Sequence, residues 1–490
     1  MSIAPPVPGP STGRQHGSLL ALLAFAHLII GLDYNIVFVA LPDIAADVGF
    51  SAGTLQWVVS GYTVAFGGFL LLGGRASDLF GRRRMFVLGL FLYFAASLLG
   101  ALATTPEVLV AARAGQGLGG AFLTPATLSL VTTSFAEGHE RNKALSVWAG
   151  AAGCGMVLGS LLGGVLTEMF GWEAVFYANV PLALVGMLLA FPLIPADRVR
   201  RTSGGFDLVG AVTATAGSTL FVFSLAQGPE AGWTAPEVLA CGGTGLVLLA
   251  GFAVLQARGR DPLMPLRLFR NRNLSTGTVT TFMFMATFGV LAYFLTLYLQ
   301  EVHGFSALRT GFAFVVPCVG VLVGTALGGR LVTHLGMRKT LTLSLTVGAG
   351  GTVAFGLALA PDASFVAIVP GLAVLSLAQG IVYTAMYAAA TTGVGEEDQG
   401  IASGVATTGE QIGSAVGLAV LVALSHAGTS GHAGGALRDA VTEGLRTAVF
   451  AAAAGIALMI LVAQNFRRPA TGPLRTGRPE ENRPSGTLAP

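Results

Sequence analysis

Residues 73–84 read GGRASDLFGRRR, a short charged segment between two long apolar runs, and residues 328–339 read GGRLVTHLGMRK. The two segments align without a gap at an offset of 255 residues, with five identical positions that include Arg83 and Arg338, and each ends in a basic residue pair. A repeat whose copies are flanked by membrane-length segments indicates a duplicated membrane protein. We therefore predict two halves that rock against each other.

The composition excludes an ordinary soluble domain, since 53% of the 490 residues are hydrophobic and only 10% are charged. A spanning helix needs about 20 mostly apolar residues, and fourteen runs have about that length. In chain order they lie near 19–41, 54–73, 86–104, 107–131, 146–167, 173–194, 207–227, 236–256, 274–299, 310–331, 341–360, 364–389, 400–424 and 445–464. They are far longer than the roughly 10-residue strands of a membrane barrel. We predict an all-α integral membrane protein with fourteen transmembrane helices, in which two six-helix repeats flank two inserted central helices.

The predicted organisation has five parts. In order along the chain they are a disordered N-terminal tail at 1–18, the N-terminal six-helix repeat at 19–200, the two inserted helices with a linker at 201–273, the C-terminal six-helix repeat at 274–465, and a disordered basic C-terminal tail at 466–490.

Basic residues lie mainly on one side of the predicted membrane. If the N-terminus is inside, the loops and tails on that side hold 23 of the 27 Lys and Arg residues, three lie outside, and Arg113 lies within a span. This asymmetry predicts that both termini are cytoplasmic. Arg outnumbers Lys by 25 to 2, which is typical of a GC-rich bacterial source. We therefore expect a multi-pass protein of the bacterial cell (inner) membrane.

Six segments together carry a family resemblance. They are Leu32–Pro42, Gly74–Arg84, Arg113–Gly117, Gly155–Gly164, Gly171–Trp172 and Asn179–Pro181. These segments resemble the fourteen-span drug:proton antiporter branch of the major facilitator superfamily, and the likeness covers roughly residues 19–465. Two positions depart from that branch's pattern, because Ser160 stands where Pro is usual and Glu410 where Arg is usual.

Three ionisable residues lie inside predicted spans, namely Asp33, Arg113 and Glu410. Each such residue costs at least about 2.5–3.5 kcal/mol to insert, so it marks a functional site by default. The resemblance implies that Asp33 and Arg113 lie near each other in a cavity of the N-terminal half, where Asp33 takes up the coupling proton. Glu410 is a second candidate for proton coupling. The alternatives are a static ion pair that fixes helix packing and a protonated Glu410 that only hydrogen-bonds a neighbouring helix.

The first copy of the repeat is interpreted as a conformational latch, formed by Gly74, Asp78, Gly81, Arg82 and Arg83. The glycines allow close helix approach, and the Asp78 carboxylate can accept hydrogen bonds from arginines or a helix N-terminus. Such contacts would close the cytoplasmic side in one state and release it in the other. The alternative is positive-inside anchoring by the arginines, which leaves Asp78 and the glycines unexplained.

A glycine stripe with a period of four follows in the predicted fifth span at Gly155, Gly159 and Gly163, with Gly164 beside it. The predicted thirteenth span repeats it at 409, 413 and 417. Small residues at this spacing allow close helix contact, and sliding along these faces is a weaker hypothesis.

Aromatic, Met and Gln residues in several spans are interpreted as an adaptable pocket for varied apolar molecules. Some of these side chains are expected to face lipid or to pack between helices instead. The candidates are Trp57, Tyr62, Gln116, Phe284, Phe288, Tyr293, Gln379 and Tyr383.

The resulting hypothesis is proton-coupled export of amphipathic organic compounds, drugs or antibiotics, by alternating access. It involves a small-molecule substrate, protons and the lipid bilayer, with no enzyme activity, cofactor, metal or nucleic acid, and a functional monomer. One alternative is another transporter, either a dedicated exporter of one endogenous metabolite or a proton-coupled uptake symporter. A membrane receptor or enzyme on such a scaffold would need a sizeable extramembrane domain or a catalytic cluster, and the predicted loops are short.

Overall fold

Long α-helices form almost all of the regular structure in a computed structural model, which describes residues 13–466 apart from 51, 56, 198–206, 260, 261, 263 and 427–434. The predicted disordered tails lie outside these ranges, except that residues 13–18 belong to the first helix and that residue 466 is described. The regular structure of the described residues is entirely helical.

The first part of the chain forms nine helices within the described residues. They are α1 (Gly13–Val48), α2 (Ala52–Leu55), α3 (Trp57–Phe80), α4 (Arg82–Ala101), α5 (Pro106–Ser134), α6 (His139–Phe170), α7 (Glu173–Leu193), α8 (Leu208–Ala231) and α9 (Pro236–Arg258).

The second part is more irregular, because short 3₁₀ segments at Leu266–Arg270 and Glu396–Asp398 and π-helical turns at Met285–Gly289 and Tyr298–Val302 interrupt it. Its α-helices are α10 (Arg272–Phe284), α11 (Leu291–Leu297), α12 (Ala307–Ala313), α13 (Val315–Leu335), α14 (Met337–Ala358), α15 (Phe365–Thr391), α16 (Gln399–His426) and α17 (Gly435–Ala463).

Twelve helices in the described part of the chain are long and apolar enough to cross a membrane. The prediction of fourteen spans is therefore wrong, although the all-helical membrane class is right. The two predicted spans outside the twelve, 107–131 and 207–227, fall in α5 and α8. In α5, Arg113, Gln116 and several hydroxyl residues lower the hydropathy, and in α8 the apolar stretch Val209–Leu225 is shorter than a span.

The two copies of the repeat form the same turn. Gly81 separates α3 from α4 with a φ of 104°, and Gly336 separates α13 from α14 with a φ of 79°. Residues with a side chain rarely adopt such positive φ values, whereas glycine does so readily. The repeated glycine therefore lets each pair of consecutive helices reverse within one residue.

The glycine stripe of α6 faces α1. A Cβ atom at Gly155, Gly159 or Gly163 would overlap backbone atoms of α1 between residues 28 and 36. The second stripe behaves alike, because Cβ atoms at 409, 413 and 417 of α16 would meet residues 278–286. Both stripes thus allow backbone-to-backbone packing of helices, which is the contact that small residues provide in membranes. Gly164 is only half-buried, and the Ser160 side chain lies outside the described atoms.

The N-terminal and C-terminal parts meet mainly along two helix pairs, α3 with α16 and α6 with α13. At the first pair, a Cβ atom at Gly74 would overlap the carbonyl oxygen of Gly400. At the second, a Cβ atom at Gly329 would overlap Asn142 and Ser146. Gly74 and Gly329 occupy equivalent positions in the two repeats, so the duplicated sequence makes equivalent contacts between the halves.

Candidate functional site

Asp33 of α1 is fully buried at the centre of a polar cluster inside the N-terminal part. Arg113 Nη1 of α5 donates to its Oδ2 atom over 2.8 Å. Gln116 Nε2 and Asn179 Nδ2 both donate to its Oδ1 atom, over 3.1 Å and 2.7 Å. Two helices, α5 and α7, therefore supply the donors of the hydrogen bonds that this one carboxylate accepts.

Arg113 is held as firmly as the carboxylate. It is 2% exposed, and its Nε atom donates to the carbonyl oxygen of Val58 over 2.9 Å. Its Nη1 atom also donates to Gln116 Oε1 over 2.8 Å, and its guanidinium carbon lies 4.7 Å from the centre of the Tyr62 ring. The pair is thus a buried, preorganised ion pair, in which a change of charge on either partner leaves the other uncompensated.

Glu410 of α16 forms a second acidic centre on the other side of the interface between the halves. Tyr387 of α15 donates its hydroxyl hydrogen to Glu410 Oε2, and the Tyr383 ring lies 5.3 Å from that of Tyr387. The Tyr387 ring also packs edge-on against Trp148 of α6, with 5.2 Å between the ring centres. Glu410 therefore sits among aromatic side chains from both halves.

Aromatic rings extend from the Asp33 cluster along α1. Tyr62, which lies over Arg113, is 6.4 Å from Tyr34 between ring centres. Tyr34 in turn lies 6.3 Å from Phe38 between ring centres.

Asp78 forms the contact that closes the interface between α3 and α16. Its two carboxylate oxygens accept hydrogen bonds from the backbone N–H groups of Gly400 and Ile401, over 2.9 Å and 2.8 Å. These N–H groups belong to the first turn of α16, where the helix dipole also favours an anion. Arg82 lies 3.8 Å from Asp78 and donates to the carbonyl oxygen of Glu396.

Two other predicted latch residues lie elsewhere. Gly81 forms the turn into α4, where a Cβ atom would overlap the Asp197 side chain. Arg83 faces α7, with its guanidinium carbon 5.2 Å from the centre of the Phe191 ring. Asp197 accepts hydrogen bonds from the N–H groups of Arg83 and Arg84. Gly81 and Arg83 thus make these contacts, including those with Asp197, within the N-terminal part alone.

The predicted pocket residues divide into separate groups. Tyr62 and Gln116 lie in the Asp33 cluster, whereas Phe284 and Phe288 pack with Tyr383 near Glu410. The structure does not bring the remaining candidates to either centre: Trp57 packs on Phe223 of α8, Tyr293 is 40% exposed beside Phe294, and Gln379 is half-buried on α15.

Sequence reasoning missed three partners of these centres, Asn179, Ser97 and Tyr387. Asn179 binds Asp33 directly, and Ser97 Oγ accepts a hydrogen bond from Gln116 over 2.9 Å. The sequence did contain a signal for Asn179, because it is a polar residue inside an apolar run. In the part of the chain that the structure describes, no group of His, Cys, Asp and Glu residues has the spacing to hold a metal ion.

A buried ion pair inside one of two repeats of apolar membrane helices is an arrangement typical of secondary transporters. The chain belongs to the Major Facilitator Superfamily, because residues 23–418 match that family. The prediction of this superfamily is confirmed, and the chain is a multi-pass membrane protein of it.

Relatives with known names cover most of the chain. It is 41% identical to the cephamycin export protein CmcT of Amycolatopsis lactamdurans, over 84% of this chain and 85% of that protein. It is 36% identical to the puromycin resistance protein pur8 of Streptomyces alboniger, over 93% and 91%. The lincomycin resistance protein of Streptomyces lincolnensis is 35% identical, over 86% of each chain.

Two solved structures share the fold. The human organic anion transporter MFSD10 (TETRAN) has a TM-score of 0.65 at 16% identity and covers 93% of this chain and all of its own. The proton:xylose symporter XylE has a TM-score of 0.67 at 14% identity, over 93% of this chain and 96% of its own. At these identities the likeness concerns the fold alone.

Proposed function

We propose that the protein is an efflux transporter that exports amphipathic antibiotic-like compounds in exchange for protons, by alternating access. The relatives at 35–41% identity are named for antibiotic export or resistance, which supports the direction and the class of substrate. The observation that carries the coupling is the buried ion pair between Asp33 and Arg113.

The coupling follows from the energetics of that pair. Removing one partner of a buried ion pair destabilises a protein by about 3–5 kcal/mol, because the remaining charge is left uncompensated. A proton on Asp33 likewise leaves the charge of Arg113 uncompensated. Protonation of Asp33 and rearrangement of α5 therefore occur together. An energy of about 5.5 kcal/mol reverses a two-state equilibrium from 1:99 to 99:1. One protonation at this site thus supplies much of the free energy that alternating access requires.

Glu410 is the second charged residue in this mechanism, and it lies on the path of the substrate. The aromatic side chains near it, Tyr383, Tyr387 and Trp148, provide faces that attract organic cations. A cationic group that replaces the proton or the tyrosine hydrogen bond at Glu410 would bind at the interface between the halves. Its position there makes binding sensitive to the motion of one half against the other.

The moving bodies in this mechanism are residues 19–200 and 274–465, with 201–273 between them. Asp78 acts as the latch between them, since its carboxylate on α3 caps α16. The protein functions as a monomer in the bacterial inner membrane with both termini in the cytoplasm, on the side where the arginine-rich loop after α3 lies.

A growth-inhibition panel tests this function. Cells with and without the expressed protein are exposed to antibiotics of several classes, and accumulation of each compound is measured before and after collapse of the proton gradient. We expect higher inhibitory concentrations for several amphipathic compounds and loss of the difference in accumulation after collapse. Unchanged inhibition across the panel, or export that survives collapse, would contradict the proposal.

The second candidate function is export of a single compound. It is favoured by the relatives' names, each of which gives one antibiotic. The same panel separates the two functions, since a dedicated exporter protects against one chemical class and leaves the others unchanged.

A further inference from the structure

A groove of about 500 Å³ lies on the outer surface of α4 and α7, at the end where both helices approach the basic loop after α3. Its volume lies within the range of small-molecule sites, roughly 300–1,000 Å³. The groove is separate from the Asp33 and Glu410 centres. The residues that line it and enter the argument are Arg83, Arg84, Leu88, Phe91, Phe191 and Asp197.

The basic end of the groove carries excess positive charge. Arg83 and Arg84 form no ion pair with a carboxylate side chain in the described part of the chain. Asp197 is the acidic residue in the groove, and its two oxygens accept the backbone N–H groups of Arg83 and Arg84 over 3.1 Å and 3.0 Å. Because its carboxylate is turned to the N-terminus of α4, the two guanidinium groups are left for an external anion.

The other end of the groove is apolar and exposed. Leu88, Phe91 and Phe191 are exposed by 36%, 50% and 54% on spanning helices, where the surrounding medium is lipid. The Arg83 guanidinium lies over the Phe191 ring, with 5.2 Å from its carbon to the ring centre, so the charged and apolar walls adjoin there. An occupant that fits both walls has an anionic head and a hydrocarbon chain.

We propose that this groove is a binding site for an anionic phospholipid of the adjacent leaflet. Its headgroup phosphate binds Arg83 and Arg84, and an acyl chain lies along Leu88, Phe91 and Phe191. Basic pockets between spanning helices bind anionic headgroups on the cytoplasmic side of membranes, and arginine matches the geometry of a phosphate oxygen pair.

The second repeat supplies a matched control. Arg338 and Lys339 occupy the positions equivalent to Arg83 and Arg84 at the start of α14, and both are exposed. Arg338 Nε instead donates to Gln464 Oε1 over 2.8 Å. Neutralising this second pair removes the same charge from the same membrane surface without touching the groove.

The experiment compares lipid retention by native mass spectrometry after purification from vesicles of phosphatidylethanolamine with a fixed fraction of phosphatidylglycerol. The variants are Arg83→Gln with Arg84→Gln, and the control Arg338→Gln with Lys339→Gln. We expect one anionic lipid per protein in the wild type and in the control. In the groove variant we expect retention to weaken roughly 30-fold, as the loss of two basic contacts predicts.

A second comparison tests the apolar wall. Phe91→Ala with Phe191→Ala should weaken retention of the same lipid, whereas Leu343→Ala, at an exposed position of α14, should not. Equal retention by the groove variant and the wild type would overturn the proposal, and so would equal loss in the groove and control pairs. Displacement of the lipid by inorganic phosphate alone, or loss in the arginine variant with none in the phenylalanine variant, would assign the site to a soluble anion instead.

Discussion

Replacing Asp78 with alanine is expected to open the interface between α3 and α16. The Asp78 side chain is 2% exposed, so its contacts are not screened by solvent. Asp78→Ala removes a charged acceptor and, with it, the two hydrogen bonds that N–H groups in the first turn of α16 donate to it. Each such bond contributes about 1.5–3 kcal/mol, so we expect a loss of about 3 kcal/mol or more. This corresponds to a shift of roughly 100-fold in the equilibrium between the closed and open arrangements.

The shift is measurable as a distance. Spin labels at Lys143 of α6 and Lys339 of α14 report on the separation of the halves on this side of the membrane, since both residues are exposed. The three native cysteines, Cys154, Cys241 and Cys318, must first be replaced. We expect the distance distribution of Asp78→Ala to move to longer values. Turnover should fall more than substrate binding, because the latch acts on the conformational equilibrium.

Asp197→Ala is the matched control. Asp197 also accepts two backbone N–H groups at a helix N-terminus, but within the N-terminal part alone. The control should therefore leave the label distances unchanged. The reasoning would be refuted by an unchanged distribution in Asp78→Ala, or by equal shifts in both variants.

Two further substitutions test other parts of the site. Glu410→Gln keeps an acceptor for the Tyr387 hydroxyl but removes the charge, so transport of a cationic substrate should fall more than that of a neutral one. Efflux of one cationic and one neutral substrate is measured in the same vesicles across pH. Equal losses for the two substrates would mean that Glu410 is only a structural hydrogen-bond acceptor. Gly159→Leu places a side chain against the α1 backbone and should destabilise the protein by at least about 1–3 kcal/mol. Gly243→Leu, at a position of α9 with open space around it, should leave the stability unchanged. Thermal unfolding of the two purified variants measures the difference, and equal melting temperatures would contradict the packing argument.

The membrane class and the superfamily were predictable from the sequence, because both depend on composition and on motifs that are local. The high insertion cost of a charge marked Asp33 and Arg113 without any structure. The span count failed at α5 and α8, where polar residues or a short apolar stretch make hydropathy a poor guide to a helix's place in the bundle.

Partners across helices were not predictable. The residues that bind Asp33 come from α5 and α7, and which face of each helix turns inward depends on packing over the whole bundle. The same holds for Tyr387, 23 residues before Glu410 and on another helix. The role of Asp78 was inferred from its chemistry, but its acceptance of Gly400 and Ile401 depends on a contact between residues more than 320 apart.

The coupling proposal is most directly tested by Asp33→Asn in purified, reconstituted vesicles. Proton movement and substrate efflux are recorded together under an imposed pH gradient, with Asp197→Asn as a carboxylate control outside the ion pair. The proposal predicts that Asp33→Asn inserts into the membrane normally and loses gradient-dependent efflux and substrate-driven proton movement together, while the control retains both. Gradient-dependent efflux by Asp33→Asn at the wild-type rate would contradict it.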